Sequence, residues 1–354
     1  MKLAGASALT RIAQNAECGW QVVMVRSGMN EPRFYQALTG KPYPKEYGER
    51  NSARRRGAKF ERNAYEHNAA LLRSALTAHI GVAENDIWVR NLEDEVPGGQ
   101  EVNRIRRWQR TMAILKDHVE GKPTAQILIQ PQLQLTMQGL GRRAGLFIAP
   151  DILFLDHASG RYRPADLKSF VVRGHLVAPA DLERSRLQVA IQSLALHEAL
   201  SVLHDERPPE HVGGFIFASP FGLNPHPPCI EPLDASVDRV LKAIAALEAH
   251  ARTIEATKAR DGTTREILLL EEIPNHFQER CISGCALASV CQNRHGGKAT
   301  VLGDSAAQIL GRDYPIARAV ELMKGAPPRN LEEARIQALL IELGQPFDEL
   351  RGVA

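Results

Sequence analysis

Two aspartates and a lysine stand at short, ordered spacing in this chain: Asp151, then Asp166 and Lys168. Asp166 and Lys168 are two positions apart, so on an extended strand both side chains leave the same face. Asp151 follows Pro150, and a turn between the two segments would bring it beside them. Two carboxylates and one ammonium at one spot suit a hard divalent cation, Mg²⁺ or Mn²⁺, because such ions take oxygen ligands. The chemistry implied is phosphodiester hydrolysis. A cation stabilises charge on phosphate oxygens, and a lysine positions or activates the attacking water. The plain alternative is a solvated hairpin with scattered charges. The apolar residues around these charges argue against it.

The cysteines form a second pattern. There are five, Cys18, Cys229, Cys281, Cys285 and Cys291, and the last three lie within eleven residues as C-x₃-C-x₅-C. An odd, uneven set does not read as a secreted disulfide framework. Clustered thiols in a reducing compartment read as metal ligands. Two fourth ligands are available. His295 would complete C-x₃-C-x₅-C-x₃-H, suited to structural zinc. Cys18 would give four thiolates, suited to an iron–sulfur cluster. Cys229, beside Pro227-Pro228, has no place in either scheme and reads as a small buried hydrophobic side chain.

The elements that must position these groups follow from pattern. Residues 51–80 read as a helix, 86–90 as a short strand and 101–120 as a second helix. Residues 125–137 alternate as a strand kinked at Pro131. Gly145 to Asp156 is an apolar strand, 157–160 a turn and Arg161 to Phe170 a second strand, together a hairpin that carries the three charged residues. A long helix over 179–204, a buried strand over 212–218 and a helix over 236–258 follow. The segment 276–295 is loop-like, and helices over 316–324 and 330–343 flank the Pro327-Pro328 break. Loose alternation of helices and strands around one sheet is an α/β architecture.

Composition excludes classes and chooses none. With 354 residues, 44 % hydrophobic and 24 % charged, the chain is ordinary globular protein. No apolar run is long enough for a membrane helix. The run at Met1–Leu9 stops at Thr10-Arg11 without a clean cleavage site, so a cytoplasmic protein is expected. The net charge of +3, from 44 Lys and Arg against 41 Asp and Glu, conceals local asymmetry. Arg50, Arg54, Arg55, Arg56, Lys59 and Arg62 face one acid, Glu61, in thirteen residues. Arg142-Arg143 precedes the first hairpin strand. Arg104, Arg106, Arg107 and Arg110 surround Trp108, a group that reads equally as a DNA contact or a solvated helix face.

Pro150-Asp151 followed by Asp166-Leu167-Lys168 resembles the signature of the P-D-(D/E)-x-K nuclease superfamily. Gly57-Ala58-Lys59-Phe60-Glu61 resembles the first motif of its RecB-like branch, with Glu61 where histidine is usual. Gln188-Val189-Ala190-Ile191-Gln192 resembles the Q-x-x-x-Y helix of that branch, with Gln192 in place of tyrosine. One cysteine upstream and three downstream is similar to the iron–sulfur members, seen in AddB-type helicase–nucleases and CRISPR spacer-acquisition nucleases. The usual trio begins C-x₂-C, one residue tighter than here. The resemblance spans about residues 18–295.

The resemblance implies a restriction-endonuclease-like α/β core, a mixed central sheet flanked by helices, with helical insertions and an iron–sulfur-stapled periphery. It assigns 1–298 to the nuclease domain, with its core at about 51–219 and a cluster segment at 276–295 joined by Cys18, and leaves 299–354 as a helical tail. It makes Asp151, Asp166, Lys168 and Gln188 catalytic. It makes Glu61, Asp151, Asp166 and the Leu167 carbonyl ligands of Mg²⁺ or Mn²⁺. It makes Cys18, Cys281, Cys285 and Cys291 ligands of a 4Fe–4S cluster, with zinc on the trio and His295 as the alternative. Arg54, Arg55, Arg56, Arg142 and Arg143 are the expected DNA contacts. The implied activity is a metal-dependent DNA nuclease, an exonuclease on single-stranded ends or processing intermediates, in recombination, repair or antiphage defence. No G-x₄-G-K-[S/T] loop occurs, so unwinding would come from a helicase partner. The alternative is a non-catalytic nucleic-acid-binding subunit of such a complex.

Overall fold

In the computed structural model, the described residues are 6–27, 32, 35–36, 39–43, 51–98, 101–136, 145–171, 179–219, 223–258, 275–277, 281, 285, 287–294 and 296–351. The chain divides into two compact units, Met1–Asn30 with Glu49–Leu270, and Glu31–Gly48 with Glu271–Ala354. The segment 276–295 lies in the second of these units. Residues 297–300 bond into the loop ahead of the later helices: Ile316 N–H donates to Gly297 O at 2.7 Å and Ala299 N–H to Tyr314 O at 2.7 Å.

The first unit is α/β with a mixed central sheet flanked by helices. Its elements in chain order are α1 (Ala6–Gln14), α2 (Gly19–Ser27), α3 (Asn51–Ile80), β1 (Val89–Asn91), α4 (Leu92–Glu95), α5 (Glu101–Val119), β2 (Ile127–Ile129), β3 (Leu133–Thr136), β4 (Gly145–Ile148), β5 (Ile152–Asp156), β6 (Arg161–Val171), α6 (Pro179–Val202), β7 (Val212–Ala218), β8 (Cys229–Pro232) and α7 (Asp234–Lys258). The sheet runs β1-β2-β5-β6-β7-β8, and β3-β4 form a separate ladder. Strands β2, β5 and β6 pair antiparallel; β7 joins β6 in parallel after the α6 crossover.

Strand alternation divides the core into two layers. Ile127, Ile129, Ile152, Phe154, Ala165, Leu167 and Ile216 pack with Phe60, Leu72 and Leu76 of α3. Leu128, Leu153, Tyr162, Phe215 and Phe217 pack on the other face with α1, α6 and α7. Helix α6 is buried at Leu187, Ala190, Ile191 and Ala195, and it is covered by α1 and α7, so it is apolar round most of its circumference.

Four readings need correction. The expected strands over 125–137 and 145–156 are each broken, at Gln130–Gln132 and Ala149–Asp151. Each break holds a proline, which cannot donate to a ladder; at the first the chain leaves the large sheet for the β3-β4 pair, and at the second it returns to the large sheet as β5. Helix α3 keeps its expected bounds but is interrupted at Glu66–Ala69, where His67, Asn68 and Ala69 have φ of 54°, 56° and 54°. Asparagine is among the side chains that tolerate this region best. Cys229 is exposed, not buried, because it starts the edge strand β8. The hairpin turn at 157–160 stands as read. Asp156 accepts Ser159 N–H and Oγ at 3.2 and 2.6 Å, and Gly160 supplies φ +61°.

The described part of the second unit is helical: α8 (Ala288–Arg294), a 3₁₀ turn (Ala299–Leu302), α9 (Asp304–Leu310), α10 (Ile316–Met323) and α11 (Leu331–Arg351). Ala299, Leu310, Ala319, Leu322 and Ile336 form its core. A two-pronged Arg318–Glu333 pair, at 3.1 and 2.6 Å, ties α10 to α11. Among the described residues, no helix is long and apolar enough to cross a membrane.

One glycine controls the approach of α6 to the sheet. A Cβ on Gly213 of β7 would sit 2.3 Å from Val189 Cγ1 and 2.8 Å from Leu233 Cδ1. Gly213→Ala is expected to destabilise the protein by about 1–3 kcal/mol, as overpacking a tight core does. Urea unfolding checks this; an unchanged midpoint would show that α6 is not seated on that glycine.

Candidate active site

The site forms at the corner where both strands break. Gln130 and Asp151 face each other there, with Gln130 N–H donating to Asp151 O at 2.9 Å. Gln130 holds a left-handed φ of 49° ahead of Pro131, a conformation that costs about 1–3 kcal/mol at a non-glycine residue. Because Asp151 lies just outside β5, its carboxylate turns across to β6 and accepts Leu167 N–H at 2.7 Å. Asp166 and Lys168 leave β6 on the face of Tyr162, toward α6. There Lys168 Nζ donates to Gln188 Oε1 at 2.7 Å and lies 2.5 Å from Asp166 Oδ2. That ion pair is outside hydrogen-bonding angles, and Asp166 Oδ2, fully buried, has no hydrogen-bond partner.

Electrostatics follow from this crowding. Burial pushes the Asp151 carboxyl well above its ordinary value, and the neighbouring Asp166 carboxylate adds to the shift; the Leu167 N–H and the Lys168 charge oppose it. Glu61, half-buried on α3, is raised by burial and by Asp166, and held back by Lys168. Glu61 thus belongs electrostatically to the same group. Three carboxylates against one ammonium leave an excess of negative charge in a partly dry place, which a divalent cation would relieve. The unbonded Asp166 oxygen and the crowded Asp151 carboxyl fit such an ion. Among the described residues, no three His, Cys, Asp or Glu side chains converge to ligate one ion as they stand. Here the Lys168 ammonium supplies the positive charge next to Asp166.

The sequence-derived residues divide as follows. Asp151, Asp166, Lys168 and Gln188 come into direct or one-residue contact, with Glu61 close enough to perturb them. Leu167 contributes its N–H, and its side chain lies in the α3-side core. Arg55 and Arg56 are exposed near the N-terminal end of α3. The side chain of Arg54, and Arg142, Arg143 and His295 altogether, lie outside the described residues. Around Trp108, Arg107 is buried and donates to Val96 O at 3.0 Å, and Arg110 bonds Glu95 at 3.2 Å. Those two arginines support local structure, while Arg104 and Arg106 are exposed. Gln192, one turn beyond Gln188, is buried with Oε1 unbonded.

Two site residues escaped sequence reasoning. Tyr65 Oη donates to Asp151 O at 3.4 Å and accepts Gln130 Nε2 at 3.3 Å. Burial and the nearby Asp151 charge hold its hydroxyl well above the usual tyrosine range, so it stays protonated. Its signal was position: Tyr65 is one helical turn after Glu61, on the same face of α3. Gln130 left only the mark of preceding a proline.

The cysteine trio belongs to the second unit and Cys18 to the first. Cys285 and Cys291 are buried and Cys281 half-buried. Cys285 N–H donates to Cys281 O at 2.9 Å, and Asn275 Nδ2 donates to Cys291 Sγ at 3.4 Å.

No protein-family model matches this chain, and neither a curated protein nor a solved structure shows significant similarity to it.

The raised Asp151 value has a stability consequence in metal-free protein. A carboxyl whose folded value exceeds its unfolded one favours folding when protonated. Its contribution is present below the ordinary value of 3.8 and lost as pH rises through the raised value. Asp151→Asn keeps an acceptor for Leu167 N–H and removes the charge. It is expected to raise the melting temperature of EDTA-treated protein at pH 7 and to flatten the loss of stability above pH 4. Equal melting curves for variant and wild type would refute the crowding.

Proposed function

We propose that the chain is a metal-dependent nuclease hydrolysing DNA phosphodiester bonds, with Asp151, Asp166 and Lys168 as its catalytic centre. The observation that carries this is the constellation itself: Asp151 bonded to Leu167 N–H, Asp166 with a buried unbonded oxygen, and Lys168 held on Gln188. The nuclease-like, RecB-branch reading gains support from placement. Its motifs fall in order on elements that meet: Gly57–Glu61 on α3, Asp151 at the break before β5, Asp166–Lys168 on β6 and Gln188 on α6.

In this reading Glu61, Asp151 and Asp166 hold Mg²⁺ or Mn²⁺, which stabilises charge on the phosphate oxygens when bound. Lys168, steadied by the Gln188 carbonyl, donates a hydrogen bond to the attacking water and orients it toward phosphorus. Asp151 and Asp166 shape the charge of the pocket, and Asp151 must lose its raised proton before it can serve. Activity should therefore climb with pH beyond the ordinary carboxylate range. Tyr65 and Gln130 fix the Asp151 backbone, so the carboxylate is presented at one position.

Cleavage of end-labelled single- and double-stranded DNA with Mn²⁺ tests the assignment. Asp166→Ala and Lys168→Ala are each expected to lower the rate by roughly 10²–10⁴-fold, the usual range for a lost acid–base or charge-stabilising group. Gln188→Ala should lose less, because the ammonium survives. Cutting that is unaffected by Asp166→Ala and Lys168→Ala would remove the catalytic centre. DNA binding by a wild type that never cuts would favour the non-catalytic subunit.

We also propose that the cysteine trio of the second unit ligates a metal centre of the iron–sulfur kind. Supporting this are the burial of Cys285 and Cys291 and the Asn275 amide on Cys291 Sγ, since N–H donors to sulfur are a normal part of thiolate sites. Anaerobically purified protein is expected to be brown, with visible absorption that bleaches on reduction and is lost in Cys285→Ser. A colourless protein with one zinc per chain would replace the cluster by zinc.

A further inference from the structure

We infer that Arg56 is a preset phosphate clamp beside the catalytic lysine, gripping the backbone of a nucleic-acid strand one contact away from the bond to be cut. This rests on the nuclease reading of the site and adds the residue that seats the strand. Arg56 Nε donates to Ser169 O at 2.7 Å, across 113 positions of sequence. Ser169 is the residue after Lys168. Its carbonyl is available because the β6–β7 ladder slips there: Lys168 pairs with Phe217 and Val171 with Ala218, so Ser169 and Phe170 have no opposite number. A bulge of this kind takes backbone groups out of the ladder beside a site. Gly57 brings α3 against the same residue, with its Cβ position 3.8 Å from Ser169 Oγ.

The guanidinium is thus fixed through one nitrogen and keeps two. Arg56 is exposed, and among the described residues it has no carboxylate partner. Other arginines of this unit are spent on acids: Arg90 on Glu95, Arg163 on Asp156, Arg186 on Glu231 and Arg207 on Asp205. A guanidinium oriented at Nε presents its remaining N–H groups as a planar fork, the geometry that matches two phosphate oxygens. The anchoring also means that little side-chain freedom is lost when a phosphate arrives. Arg55 and Lys59, exposed on the same part of α3, extend the positive surface.

The test is binding of a labelled single-stranded oligonucleotide to full-length protein in EDTA, where nothing is cut, over a series of salt concentrations. Arg56→Ala is expected to weaken binding several-fold and to reduce the slope of log K against log salt by roughly 0.7, the loss of one phosphate contact on a single strand. Arg56→Lys should restore the slope, because the charge returns, but not the affinity, because an ammonium has no Nε anchor and no fork. Wild-type affinity and slope in Arg56→Ala would overturn the clamp. Full rescue of affinity by Arg56→Lys would overturn the anchored geometry and leave only charge. Failure of wild type to bind would overturn it as well. Failure of wild type to cut in Mn²⁺ while Arg56→Ala still lowers binding would sink the nuclease reading alone.

Discussion

Half-buried Asp151 and buried Asp166 crowd one another, and that crowding is the constraint on which the rest of the site depends. A folded chain does not place two carboxylates together at no cost, since burial and the Asp166 charge resist the ionisation of Asp151. The protein offsets part of this with one backbone N–H from Leu167 and one ammonium from Lys168. It leaves Asp166 Oδ2 without a hydrogen bond. A site tuned only for stability would replace one acid by a neutral side chain. Retaining both makes sense where a cation or a phosphate-bound ion is to be received, and destabilised groups of this kind are common where chemistry is done.

The fold builds that place through two prolines. Pro131 and Pro150 interrupt strands that the alternation would otherwise carry through, and the two breaks lie opposite each other. At one, Gln130 takes a strained left-handed conformation; at the other, Asp151 is released from the ladder. The strain is tolerated because Gln130 is fixed twice, by its N–H on Asp151 O and by its side chain on Tyr65. Helix α3 supplies Tyr65 and Glu61 from one face, while α6 supplies Gln188 from the other side of the sheet. The site therefore draws on both core layers, and the tight seat of α6 on Gly213 sets the reach of Gln188 to Lys168.

Much of this was legible in the residues, and the failures are physical. The hairpin, its turn at 157–160 and the long helices follow from period and turn chemistry, but the first hairpin strand is only Ile152–Asp156 and the last helix runs past the expected 343 to Arg351. The same-face placement of Asp166 and Lys168 is a direct consequence of strand geometry. The strand breaks were not legible in full, because a proline announces a kink but not the departure of the chain into a second ladder. Edge strand β8 is four residues long and carries a proline, so it has almost no pattern of its own, and Cys229 was misread with it. Tyr65 looks like any aromatic on an amphipathic helix until Asp151 is folded against it. The Ser169–Phe170 bulge has no sequence mark at all; it shows only in how β6 meets β7.

We propose that the Asp151–Asp166 carboxylate pair receives a divalent cation. Calorimetric titration of metal-free protein with Mn²⁺ at two pH values tests it most directly. Wild type is expected to bind Mn²⁺ and to release protons as it does so, with more released at the lower pH, because Asp151 and Glu61 begin partly protonated. Asp151→Asn and Asp166→Asn should each weaken that binding by at least tenfold. No binding by wild type, or binding that neither substitution disturbs, would contradict the account.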